Sequence, residues 1–207
     1  MKLNDDPVQT SSLRTPFESL DNFRDVGGYR TKKGRVIKNG MIYRSDNLSK
    51  LTPKDLIQLS ELQLKTICDL RSDFERKQEP NQLPEGVRVI NIPIQEKKDY
   101  SKIQKKILTG DIAELDFRAM HFKNYKAFII EFSADFQRLM QVLQREENYP
   151  ILIHCNQGKD RTGFALAILF FILDIPLQTV FEDYLLSNRL LEKRFQKLTT
   201  QIQGTST

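Results

Sequence analysis

A cysteine and an arginine, Cys155 and Arg161, lie in the stretch His154-Cys155-Asn156-Gln157-Gly158-Lys159-Asp160-Arg161-Thr162-Gly163, with an apolar run on either side. A loop of that length can fold around a phosphate. Its backbone N–H groups and the positive end of a following helix then converge on one anion. A cysteine at the mouth of such a turn is held as the thiolate, the form that attacks. Arg161 offers a planar fork of donors matched to two phosphate oxygens.

That geometry needs a strand to deliver the cysteine and a helix to leave from the arginine. Ile151 to His154 reads as the buried strand, and Thr162 to Leu173 as the buried helix. Thr66 to Leu70 and Val87 to Ile94 are two further strands, and Gly34 to Ser45 reads as two short strands about an Asn39-Gly40 turn. Thr52 caps a helix through Leu62, with Pro53 at its first position. Ser133 to Leu143 is an amphipathic helix, and Leu177 to Phe195 supplies one or two closing helices. Strands separated by helices predict an α/β fold, a mainly parallel sheet flanked by helices on both faces, in which Asp69 and Cys155 fall at the carboxyl ends where ligands bind.

The loop also resembles the signature of the cysteine-dependent protein tyrosine phosphatases, in the version with Gly-Lys-Asp before the Arg, and is similar to an atypical bacterial and fungal branch of that superfamily. Companion motifs carry the resemblance: Asn22 to Tyr29, Tyr43-Arg44-Ser45-Asp46, Leu51-Thr52-Pro53, Asp69-Leu70-Arg71 with Asp73 and Glu75, and Glu182 to Leu186. They run in the family's order from about residue 20 to 190. The resemblance implies a tyrosine-phosphatase-like fold with a small N-terminal β-hairpin, and phosphate-monoester hydrolysis through a cysteinyl-phosphate. It implies phosphotyrosine protein or phosphoinositide substrates. The segment 97–126, charged yet apolar at helical spacing, would be two short helices split near Thr109-Gly110, forming either a lid over the loop or a helical connection packed on the sheet.

In that chemistry Cys155 attacks phosphorus and Arg161 binds two equatorial oxygens, while N–H groups from Asn156, Gln157, Gly158, Lys159, Asp160 and Arg161 take the rest. Thr162 either donates its hydroxyl to the sulfur or caps the helix. Two carboxyls compete to protonate the leaving oxygen. Asp160 is preferred for its place beside the nucleophile. Asp69 is the alternative, unless it pairs with Arg71 to brace the loop. Lys159 contacts further phosphates, an acidic peptide or solvent. His154 reads as a support of the loop, since a thiolate needs no base. Arg24, Asp25, Arg44 and Asp46 read as a network that locks the N-terminal segment. Cys68 reads as a core residue, or as a disulfide partner shielding Cys155.

Composition sets the outer bounds. The 207 residues suit one domain over 17–200, preceded by a loose polar arm over 1–16 without a visible cleavable signal. Two cysteines make no disulfide framework and suit a cytoplasmic setting, though an effector exported without such a signal would read identically. The net charge of +5 is a modest excess of scattered basic residues. No zinc spacing, nucleic-acid pattern or membrane-spanning run is visible, and a monomer using no metal or cofactor is expected. A nucleotide phosphate loop is excluded, because Ile153 stands where its first Gly belongs and Asp160 where its Ser or Thr belongs. No tryptophan is present, so the acid cannot come from a tryptophan-containing loop. The rival to an enzyme is a module that captures phosphorylated proteins or lipids without turning them over.

Overall fold

The computed structural model describes residues 17–95 and 116–194, together with 196 and 200. Five strands, β1 (Arg24–Asp25), β2 (Ile42–Ser45), β3 (Thr66–Asp69), β4 (Arg88–Asn91) and β5 (Ile151–His154), form one sheet in the order β1-β2-β5-β3-β4. Strands β2, β5, β3 and β4 are parallel, and β1 joins β2 antiparallel. The cysteine-bearing strand is thus central. Its residues Ile151 to His154 are paired with Ile42 to Ser45 on one side and Thr66 to Asp69 on the other.

Side-chain alternation divides these strands between two cores. Ile42, Cys68, Ile151 and Ile153 pack with Phe136, Leu139, Leu166 and Phe170 on one face. Tyr43, Ile67 and Leu152 pack with Leu59, Leu48 and Phe23 on the other. Helices therefore cover both faces, as the strand and helix pattern predicts. Cys68 is a buried free thiol in the first core, pushed up to about 12 by burial.

Helix α1 (Pro53–Glu61) begins as expected: the Thr52 hydroxyl accepts from the Asp55 N–H, and the Asp55 carboxylate accepts from the Thr52 N–H. Helix α2 (Asp73–Gln78) repeats this box with Ser72 and Glu75. Helices α3 (Phe117–Ile130), α4 (Ser133–Leu143), α5 (Asp160–Ile172) and α6 (Leu177–Leu190) follow.

Three readings need adjustment. The Asn39-Gly40 turn forms, with Gly40 at φ 75°, but β2 does not fold back on residues 34–37. It pairs with Arg24–Asp25, while 35–37 bond to 28–31, because Asp25 accepts from the Gly27 and Gly40 N–H groups and pins two turns at once. Helix α5 starts at Asp160, so Thr162 lies inside its first turn and is not its cap. The 1–16 arm and the Thr109-Gly110 split lie outside the described residues. Of the segment 97–126, the part from Phe117 belongs to α3, which continues to Ile130.

Candidate active site

Cys155 follows the last residue of β5 and is buried, 2% exposed. From there the chain crosses to α5 in a turn with three successive carbonyls held from outside. Asn156 O accepts from the Asn47 N–H at 3.0 Å, Gln157 O from Asn22 Nδ2 at 2.8 Å, and Gly158 O from Arg44 Nη2 at 2.5 Å. These peptides are trans, so each following N–H points the opposite way from its carbonyl. The N–H groups of Gln157, Gly158 and Lys159 are thereby turned to the inside of the loop, where the helix N-terminus adds its partial positive charge. Gly158 makes the turn possible. Its φ is 63°, and a Cβ there would stand 2.4 Å from Ser45 O.

The outer holders are themselves fixed. Arg44 is fully buried, and it and Arg24 both reach the Asp183 carboxylate on α6, at 2.5 and 3.0 Å, with the Tyr29 hydroxyl as a third donor. Burial would raise the Asp183 carboxyl, but Arg44 and Arg24 hold it below the ordinary range. Arg24 also donates to Asn22 Oδ1, which orients the amide that holds Gln157. Asp46 accepts from the Asn22 N–H and from Arg194. The expected locking network exists and grips the loop as well as the N-terminal segment.

Arg161, 2% exposed, places Nη1 and Nη2 each 2.7 Å from the two Glu75 oxygens. Burial would raise the Glu75 carboxyl, yet Arg161 and the Ser72 cap keep it below its usual value. The guanidinium plane is set by a carboxylate that its own helix cap fixes.

The two candidate acids differ sharply in surroundings. Asp69 is fully buried and spanned by Arg71, which donates from its backbone N–H and from Nε and Nη2; Asn81 adds another donor. Burial would raise Asp69, but the facing His154 ring when it is protonated, and Arg71 through its charge and hydrogen bonds, keep it below the ordinary carboxylate range. His154 Nε2 lies 3.5 Å from Asp69 Oδ2, while burial drives His154 down to about 4, so at neutral pH it is uncharged and, among the described residues, Arg71 supplies the countercharge. Asp160, 8% exposed, has no such cation on its carboxylate among the described residues; Oδ1 accepts from the Tyr125 hydroxyl at 2.8 Å and the Tyr184 hydroxyl at 3.2 Å. The Thr162 hydroxyl is buried and makes no hydrogen bond among the described residues, the sulfur included.

Cys155, Arg161, Asp160 and the loop N–H groups are thus assembled at one end of the sheet, with Asp69 behind them in a closed ion pair. Asn156, Gln157 and Lys159 remain partly exposed at the loop's rim. Sequence reasoning placed Glu75, Tyr184 and Asn22 only as members of motifs. Tyr125 carried no sequence signal, and the Asn47 N–H had none either.

The model of the tyrosine phosphatase family matches residues 15–206. The chain belongs to the tyrosine phosphatase family. A Cupriavidus necator protein that bears a tyrosine-protein phosphatase name is 29% identical over 174 residues, 84% of this chain and 62% of its own. The triple specificity protein phosphatase PtpB of Mycobacterium tuberculosis is 27% identical over 203 residues, 88% of this chain and 72% of its own. The chain thus spans about three fifths of the length of the first relative. Among solved structures, P. aeruginosa TpbA aligns at 19% identity and a TM-score of 0.42, over 72% of this chain and 70% of that one. No helix among the described residues is long and apolar enough to cross a membrane.

Proposed function

We propose that the domain over 17–200 hydrolyses phosphate monoesters through a cysteinyl-phosphate, acting first on phosphotyrosine in proteins and also on phosphoinositides. The observation that carries this reading is the loop itself: three successive carbonyls held outward, which turns their following N–H groups inward, and Arg161 held by both oxygens of Glu75. Such a site stabilises the equatorial oxygens of a phosphoryl group in transfer.

The Cys155 thiolate attacks phosphorus opposite the ester oxygen. As the P–O bond breaks, Asp160 gives its proton to the leaving oxygen. Water then attacks the thiophosphate, Asp160 takes a proton from that water, and phosphate leaves with the thiolate restored. The Thr162 hydroxyl, buried without another partner among the described residues, donates to the sulfur as negative charge returns to it. Asp69 serves as a brace: an ionised carboxylate spanned by Arg71 is a poor proton donor, and it holds His154 behind the nucleophile. The tyrosine phosphatase name of one relative and the triple specificity of another support the substrate classes. Lys159 at the rim is a point charge suited to additional phosphates or to an acidic peptide. The free thiols of Cys155 and Cys68 suit action in the reducing cytoplasm, where the domain acts as a monomer in this reading.

Turnover of para-nitrophenyl phosphate by the wild type and by Cys155→Ser tests the proposal. The wild type should turn over and accumulate a phosphate label on Cys155, and the variant should bind vanadate without turnover. A wild type that binds vanadate but never turns over would instead be a phosphate-capture module.

A further inference from the structure

Behind the acid lies a cluster that the phosphoryl chemistry does not itself require. Tyr125 on α3 and Tyr184 on α6 come from different parts of the chain, yet their hydroxyls touch each other and both reach Oδ1 of Asp160. Each ring is held by packing. Tyr125 stands edge-on to Phe128 and Phe164, at centroid distances of 5.4 and 6.2 Å. Tyr184 lies over Gly163, where a Cβ would come within 2.8 Å of two ring carbons, so the glycine admits the ring.

A carboxyl that accepts on one oxygen from two donors has its proton directed to the other oxygen. We propose that Tyr125 and Tyr184 are positioning residues for the acid, fixing Oδ1 of Asp160 so that the transferable proton is carried on Oδ2. This rests on the reading of Asp160 as the acid. As Oδ2 gives its proton to the leaving oxygen, negative charge appears on the carboxylate, and the hydroxyl donors at Oδ1 take it up without moving. Water returns the proton to Oδ2 in the second step. The hydroxyls remain donors throughout, because burial and the adjacent Asp160 push both phenols above their ordinary range, Tyr184 to about 12. Both helices must be seated for the acid to be aligned.

The test compares Tyr125→Phe, Tyr184→Phe, the double variant and Asp160→Asn on para-nitrophenyl phosphate, whose leaving group needs little protonation, and on phenyl phosphate, whose leaving group needs it. Vanadate affinity reports whether the loop is intact. For each single tyrosine variant, kcat on phenyl phosphate should fall about 10-fold, while kcat on para-nitrophenyl phosphate, KM and vanadate affinity change less than about 3-fold. The double variant should approach Asp160→Asn in selectivity. If Asp160→Asn discriminates between the esters and the tyrosine variants do not, the positioning role is wrong and the acid stands. If Asp160→Asn loses equally on both esters, the acid assignment fails and the positioning role fails with it.

Discussion

Replacing Gly158 by Ala tests whether the loop is seated against β2 as described. Two costs arise. The first is conformational: φ is 63°, and an L side chain in that region costs roughly 1–2 kcal/mol. The second is steric. The new Cβ would lie 2.4 Å from Ser45 O, 2.6 Å from Ser45 C and 2.8 Å from Asp46 N, all backbone atoms, where real Cβ contacts essentially never fall below 3.0 Å. Ser45 cannot yield, because it is buried and in register with His154. The loop must therefore lift by at least about 0.6 Å, stretching the 2.5 Å bond from Arg44 and tilting the N–H groups away from the phosphate. Misplacement on the scale of 1 Å costs on the order of 100-fold, so kcat/KM should fall roughly 10- to 100-fold. Overpacking adds roughly 1–3 kcal/mol to the stability loss. Gly86→Ala separates the two costs, since its φ of 83° carries the same strain with nothing within 4 Å of the added carbon. Urea unfolding and steady-state kinetics on both variants decide the matter. Equal stability losses, with full kcat/KM in Gly158→Ala, would falsify the seating of the loop.

Glu75→Gln keeps an acceptor for the Ser72 cap but removes the charge that flattens Arg161, so kcat/KM should drop about 10-fold; higher activity would mean that countercharge, not alignment, is what Glu75 supplies. His154 is buried and driven down from 6.5 to about 4, so the folded protein takes up that proton less readily than the unfolded chain. Its contribution to stability is present above pH 6.5 and is lost as pH falls toward 4, by at most about 3 kcal/mol. In urea titrations at several pH values His154→Gln should show a shallower acid decline than the wild type; parallel curves would remove this account.

Local order was open to sequence reading. The strand Ile151 to His154 and the capped helix after Thr52 could be named because a period of two, a period near 3.6 and a capping residue are each set within one turn or a few residues. The run from Cys155 to Arg161 could be read as a tight strand-to-helix loop for the same reason: cysteine, backbone donors and guanidinium lie in one short segment. Even there the helix start was misplaced by two residues, because the Gly163 N–H already bonds Lys159 O and brings Asp160 into the helix. The hairpin reading failed where local turn chemistry met a distant competitor, since Asp25 draws β2 onto Arg24–Asp25.

What spacing alone left open was who holds the loop and which carboxyl can give up a proton. Asn22 holds Gln157 and Arg44 holds Gly158 across more than a hundred residues, and no period links those positions. Asp69 and Asp160 are the same side chain at comparable places in sequence logic. One is spanned by Arg71 and the other receives two tyrosines from separate helices, so the fold, by choosing their neighbours, gives two identical side chains different surroundings, and the proposed division into brace and acid rests on that difference. Sequence by itself determined that a cysteine and an arginine would stand at the two ends of one tight strand-to-helix loop. Only tertiary structure decided the charges and donors around it, because those come from segments that meet solely when the sheet and its helices pack.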